Sequence, residues 1–278
     1  MHGKRKIGAG YILSRFLILI LLVLTFYPFA MLINMSLKPN VMIKNDFLGL
    51  PSGIYWQNFQ KAWKFGLHPV GNSLIVCGIS VVLIIIVVSL SGYAFGQMEF
   101  KGKKLLFGLL MAVMMVPYTL LIIPNYNIVR SMGILNSKLA LIIPYVAGQQ
   151  VFGVILAEAF FRELPKELFE AAKIDGAGEL KCFSYIAFPL SKPILITVGI
   201  TTVVSMYNDY IWPTIVMTGG DEMKTFCQVV FNNAVGKGTN DMGLLAAAFI
   251  IGTLPLLIVT SSCLKYYVQG MMGGAVKG

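Results

Sequence analysis

Six stretches of this chain are apolar enough, and long enough, to cross a bilayer: approximately 16–37, 70–95, 105–128, 139–157, 194–217 and 243–264. A helix needs about 20 mostly apolar residues to span ~30 Å of hydrocarbon. A soluble helical core would need polar faces, and six such windows in 278 residues leave none for it. Composition agrees: mean hydropathy is +0.77 and only 12% of residues are charged, against about 25% in soluble domains. The expected fold class is an all-α membrane protein with six transmembrane helices. The chain 1–278 reads as one domain with sizeable loops at 38–69 and 218–242 on the outer side.

Six spans put both termini on one side of the membrane, and Lys and Arg indicate which side. With the N-terminus inside, fourteen of the 22 basic residues fall on inner segments and eight on outer ones. Both termini and the segment 162–192 are therefore expected in the cytoplasm. The net charge of +10 follows from the same bias. Its lysines are scattered over loops rather than gathered in a stripe, which argues against nucleic-acid binding. The first window runs about 22 residues and no Ala-x-Ala site follows it, so it reads as a retained helix, bent at Pro28, not a secretory signal. Cys77, Cys182, Cys227 and Cys263 have no metal-ligand spacing and no basis for a disulfide framework.

Segment 162–192 is the longest polar stretch between apolar windows on the inner side, and it reads as two short amphipathic helices. Pro165 suits a first helical position. Leu164, Leu168, Ala171 and Ala172 recur at three- and four-residue spacing and share a face. Gly176 stands where a helix ends in a left-handed residue. A second stripe, Leu180, Phe183, Ile186 or Ala187, and Leu190, runs until Pro189 and Pro193 break it. An apolar face beside a membrane needs a partner, and the two alanines let a partner's surface come close.

Elsewhere the spans offer fewer signals. Gly92 and Gly96, four residues apart, form a close helix-packing signature. Pro117, Pro124 and Pro144 are expected to kink or end the third and fourth spans, and broken helices of this kind can line a path. Trp56, Phe59, Trp63 and Phe65 suit either an interfacial belt or contact with an outer partner. Glu158 reaches the inner interface and reads as a solvated helix end. Asp209 lies inside an uninterrupted apolar window, where ionisable groups are expensive. Two roles stay open for it, in a translocation path or as a structural hydrogen-bonding group. Tyr207, Asn208, Asp209 and Trp212 together put hydrogen-bonding and aromatic groups into an otherwise apolar span, chemistry suited to a polyhydroxyl ligand.

Glu170-Ala171-Ala172, Asp175-Gly176-Ala177, Phe183, Ile186 and the pair Pro189 and Pro193 resemble the EAA loop of the transmembrane subunits of bacterial ATP-binding-cassette (ABC) importers. Further motifs resemble the carbohydrate branch of these permeases, the maltose-type and oligosaccharide importers. They are Asn72-Ser73, Tyr93-Ala94-Phe95 before Phe100-Lys101-Gly102, Met114 to Pro117, Ile123-Pro124, Tyr207 to Asp209 with Trp212-Pro213, Pro255, and Gly274 to Gly278. Together they cover roughly residues 50–278. One departure is Tyr207, where the family pattern has Trp before Asn.

The resemblance implies a type I ABC importer permease bundle in the bacterial plasma (inner) membrane. It implies a second homologous permease subunit, two ATP-binding-cassette ATPase subunits and an extracytoplasmic sugar-binding protein as partners. Glu170, Ala171, Ala172, Asp175, Gly176 and Phe183 would then couple the chain to the ATPase. Tyr207, Asn208, Asp209 and Trp212 would lie on the translocation path. No cofactor is expected on this chain, with ATP and Mg held by the ATPase partner: Gly-x-x-x-x-Gly-Lys-[Ser/Thr] does not occur, and Gly236-Lys237-Gly238-Thr239 has the wrong spacing. A related permease for a non-sugar solute, such as glycerol phosphate or a sugar acid, is the main alternative. A membrane-embedded enzyme is the rival from another class, but it needs convergent catalytic groups. The only histidines, His2 and His68, sit in loops, and no acidic pair lies at one depth.

Overall fold

A computed structural model describes residues 9–233 and 241–275. The expectations for His2, for the basic residues before Ala9, for 236–239 and for 276–278 lie outside the described residues. The described chain is helical: α1 (Ala9–Ser36), α2 (Asn40–Asn45), α3 (Gln57–Gln97), α4 (Lys103–Met114), α5 (Tyr118–Ser131) and α6 (Leu139–Arg162) come first. Then follow α7 (Lys166–Ile174), α8 (Glu179–Cys182), α9 (Phe188–Leu190), α10 (Lys192–Asn208), α11 (Ile211–Val216), α12 (Phe226–Phe231) and α13 (Met242–Ala275).

Four segments are long and apolar enough to span by themselves: Leu13–Ser36, Gly66–Gln97, Leu139–Arg162 and Met242–Lys265. The third expected span is a bent pair, and the fifth begins in the second half of another, whose first half lies in the segment 162–192. Lys103–Met114 and Tyr118–Ser131 meet at 101°, and Glu179–Leu190 and Lys192–Asn208 at 71°. Counting each pair as one span gives up to six.

The breaks have local causes. Pro117 has no N–H for the ladder and restricts Val116 to non-helical backbone; it precedes α5 with ψ of 130°. The window 194–217 is not continuous either, because α10 stops at Asn208 and Asp209 is extended, with ψ of 125°. Pro213 is four residues on, so its ring would strike the Asp209 carbonyl in an unbroken helix. Proline alone does not decide the matter: Pro28, Pro69, Pro124, Pro144 and Pro255 all lie inside continuing helices.

The chain divides into two compact units. One runs to Leu67 and takes in Asn232–Thr253, and the other is His68–Phe231 with the chain from Leu254 on. In the first, α3 starts thirteen residues before the expected 70, so much of the expected loop 38–69 is helix. Ala62, Ala247 and Ala248 are fully or nearly fully buried together, flanked by Phe59, Leu244 and Ile251. Small side chains let the helices touch, and a Cβ on Gly243 would lie 2.7 Å from the Lys38 carbonyl. Lys38, expected on an outer loop, is buried. Its ammonium donates to the carbonyls of Asp46, Phe47 and Gly49, which offsets the cost of burying it. Trp56 and Trp63 are exposed, and the side chain of Phe65 lies outside the described set.

In the second unit the Gly92 and Gly96 signature is a real close approach. A Cβ on Gly92 would lie 2.6 Å from Ala157 Cβ, and one on Gly96 would lie 2.6 Å from Phe161 Cβ. On the facing helix, a Cβ on Gly153 would meet Val88 at 2.6 Å. That contact covers Glu158, which is only 6% exposed and pairs with Arg162 at 3.1 Å. Glu158 is therefore a buried, paired group and not the solvated helix end its position suggested. The segment after α11 is tied to the start of the span in α3. Asn72 donates to the Glu222 and Lys224 carbonyls, and Phe226 N–H donates to Ser73 Oγ.

Candidate functional site

Two places in the second unit gather the residues singled out by the sequence. The first is the segment 162–192. Pro165 takes the N-cap position, one residue before the expected one, with ψ of 124°. Helix α7 ends in a Schellman motif: Ala177 N–H donates to Ala172 O at 2.9 Å and Gly176 N–H to Lys173 O at 3.1 Å. Gly176 has φ of +78°, the left-handed backbone that its sequence position predicts. Helix α8 then leads into a π-helical turn, Phe183–Ala187, and α9. Phe188 N–H reaches back five residues to Phe183 O. The wide turn falls just before Pro189, which has no N–H to offer and would crowd the Tyr185 carbonyl.

This segment is fastened to the end of α3 by Tyr93. Its ring lies 5.9 Å from Phe161, 6.1 Å from Phe169 and 5.4 Å from Phe183. Its hydroxyl donates to Glu179 Oε2 at 2.9 Å, and Lys173 Nζ binds Glu179 Oε1 at 2.7 Å. Lys173 and then the Tyr93 hydroxyl hold the Glu179 carboxyl below its ordinary pKa. One tyrosine thus binds both short helices to the bundle.

The placement sorts the six expected coupling residues. Phe183 is half-buried and faces inward, onto Tyr93 and Phe188. Ala172 is half-buried, while Glu170, Ala171, Asp175 and Gly176 are exposed. Beside them stand Leu168, Ile174, Leu180 and Tyr185, the last three 73–87% exposed. The outer surface of the segment therefore carries uncovered apolar side chains among charged ones, as the Leu168 and Ala171 spacing suggests. Phe169, Lys173 and Glu179 went unrecognised in the sequence, and Tyr93 was read only as part of a motif, without this role. Phe169 carried a weak signal, one residue off the apolar stripe; the Tyr93–Glu179 contact joins positions 86 apart and had none.

The second place is a cavity of about 560 Å³ where the two helix breaks meet α6. Val116 and Tyr118 come from the first break, Asn208 and Asp209 from the second, and Pro144, Tyr145, Gly148 and Gln149 from α6. Asp209 organises it. Its Oδ2 accepts the Tyr145 hydroxyl at 2.9 Å, and its Oδ1 accepts Ile211 N–H at 2.9 Å and Trp212 N–H at 3.3 Å. That carboxylate caps α11 as an aspartate caps any helix start. Of the two roles left open for Asp209, the structural hydrogen-bonding one is seen here, and the same carboxylate lines the cavity. Gln149 Nε2 donates to Ser205 Oγ at 2.9 Å across the same space.

Asn208 lines this cavity with Asp209, but Tyr207 and Trp212 do not. Tyr207 is buried and packs on Phe226, with ring centroids 6.2 Å apart. Trp212 is fully buried, its indole N–H donating to Ala140 O at 2.9 Å. Tyr118, Tyr145, Gln149 and Ser205, with Tyr210 beside Asp209, are polar lining groups the sequence reading did not find. No pattern along the chain joins them, because separate parts of the chain carry them.

Residues 89–273 match the family described as "Binding-protein-dependent transport system inner membrane component". The chain is 35% identical over 258 residues to the melibiose/raffinose/stachyose import permease protein MelC of Bacillus subtilis (strain 168), covering 91% of this chain and 92% of that one. It is 30% identical over 255 residues to the trehalose transport system permease protein SugB of Mycobacterium tuberculosis (strain CDC 1551 / Oshkosh), covering 90% and 92%. Its fold is shared, with a TM-score of 0.82 at 20% identity, with a chain in the crystal structure of a bacterial ABC transporter that imports the acidic polysaccharide alginate. That match covers 96% of this chain and 99% of the other. The chain belongs to the inner-membrane components of binding-protein-dependent transport systems, a family of transporter permeases and not of enzymes.

Proposed function

We propose that this chain is one permease subunit of an ATP-driven importer of sugars or oligosaccharides and forms half of its translocation path. The relatives named for melibiose, raffinose and stachyose and for trehalose carry this reading, because they match along about nine-tenths of the chain. The cavity beside the two helix breaks suits such a cargo. Its hydroxyl, amide and carboxylate groups sit among apolar and aromatic walls, the mix that orients a polyhydroxyl ligand.

In this reading, 1–278 acts as a single permease domain beside a second, homologous one. Both termini and the segment 162–192 face the cytoplasm, and an extracytoplasmic binding protein delivers the sugar. Of two ATPase subunits, which bind ATP and Mg, one docks on the exposed residues Leu168, Ala171, Ile174 and Leu180 of this chain. Glu170 and Asp175 offer polar contacts at their rim. The inward half of the same segment, Phe169, Phe183 and Glu179, passes movement to α3 through Tyr93.

The test is uptake of labelled oligosaccharides by cells lacking this chain and by the same cells with it restored. Uptake should vanish with the chain and return with it. Undiminished uptake of every saccharide in its absence, with loss of uptake of some other solute, overturns the assignment of a sugar cargo.

A further inference from the structure

The polar side chains lining the cavity are Tyr118, Tyr145, Gln149, Ser205, Asn208, Asp209 and Tyr210. All but Asp209 are neutral. Among the described residues that line it there is no Lys, Arg or His. Asp209 receives three donated hydrogen bonds on its two oxygens, the acceptor-only pattern of an ionised carboxylate. Its negative charge stands among Val113, Met114, Leu121, Val151 and Phe152, walls that screen it less than water does. A second negative charge brought into this space meets repulsion with no cation to offset it.

We infer that this cavity selects saccharides by charge, with Asp209 making it a site for uncharged or amino-bearing chains and a barrier to chains carrying carboxylates or phosphates. The inference rests on the proposed role as a sugar permease and narrows its cargo. The fold does not decide the matter, since a chain of the same fold serves an importer of an acidic polysaccharide. The lining side chains do. Neutral hydroxyls have partners in Gln149, Asn208 and the three tyrosines, each able to donate and accept. A uronate would find the same partners and one carboxylate too many.

Binding to the purified importer, freed of its binding protein, tests this without that protein's own selectivity. Saturation-transfer NMR would compare neutral di- to tetrasaccharides with the same compounds oxidised to a carboxylate at one C6. The expected result is binding of the neutral member of a pair at least about tenfold tighter than its uronate, with the ratio collapsing toward one in Asp209→Asn and kept in Asp209→Glu. Asn also caps helices well, and the readout is a ratio, so a general loss of affinity in the variant does not mimic the effect. Equal binding of both members to the parent importer overturns the inference, and so does a ratio that survives in Asp209→Asn. Absence of any saccharide binding, in an importer that still takes up saccharides with its binding protein present, removes the cavity as the site while leaving the sugar permease reading intact. Failure of uptake for every saccharide overturns the reading itself.

Discussion

At the residue scale, the glycines between α3 and α6 separate packing from function. A Cβ at Gly92 would sit 2.6 Å from Ala157 Cβ and 3.2 Å from Phe161 Cδ2. Real Cβ atoms do not approach that closely, so Gly92→Val must push two helices apart. Overpacking of this kind costs about 1–3 kcal/mol, and close backbone approach is a main source of helix association in lipid. The expected outcome is a melting temperature several degrees lower for the detergent-solubilised permease complex. Gly108→Val, where a Cβ meets nothing within 4 Å, should melt within a degree or two of the parent. Equal melting of the two variants would refute the tight contact. The Gly92 and Gly96 spacing was legible in the sequence because it repeats on one helix. Glu158 was misjudged because its burial depends on those glycines from another helix.

At the element scale, the segment 162–192 has an inward half built for attachment and an outward half left open. Its two helices, the left-handed Gly176 and the exposed Leu168 and Ala171 were readable from local spacing. The Tyr93 cluster was not, since aromatic contacts between α3 and α7 leave no period in either. The halves predict different failures. Ala171 is exposed, so Ala171→Trp should leave the segment's own fold and the chain's insertion into the membrane unchanged. It should abolish stimulation of ATP hydrolysis by the sugar-loaded binding protein in reconstituted complexes, because the added bulk stands between the surfaces. Gly176→Val instead forces a β-branched residue to a φ of +78°, a strain of about 1–2 kcal/mol, and should lower both local stability and coupling. Tyr93→Phe removes only the hydroxyl bond to Glu179, worth about 1 kcal/mol, and should fall between them. Full coupling in Ala171→Trp would mean that the exposed face is not where the ATPase sits.

At the scale of the whole molecule, the bent helices decide how many times the chain crosses the inner membrane. Six apolar windows were plain in the sequence, yet Pro117 and the Asp209–Pro213 pair interrupt two of them in ways that hydropathy does not register. The 101° bend between α4 and α5 bears directly on topology. If that pair crosses, four spans separate the N-terminus from the segment 162–192 and both lie on one side. If it re-enters, three spans separate them and the segment moves to the other face, away from any cytoplasmic ATPase. The native cysteines serve poorly here, because Cys77 and Cys182 are buried. Ser52, between the first two spans, and Ser184, in the segment itself, are both exposed. Cysteines placed singly at these positions, in a chain whose own cysteines are replaced by alanine, report the two cases. A membrane-impermeant thiol reagent applied to intact cells or spheroplasts should label Ser52→Cys at once and Ser184→Cys only after permeabilisation. Labelling of both from outside would make the bent pair a re-entrant loop, and the coupling face could not then be where the ATPase docks.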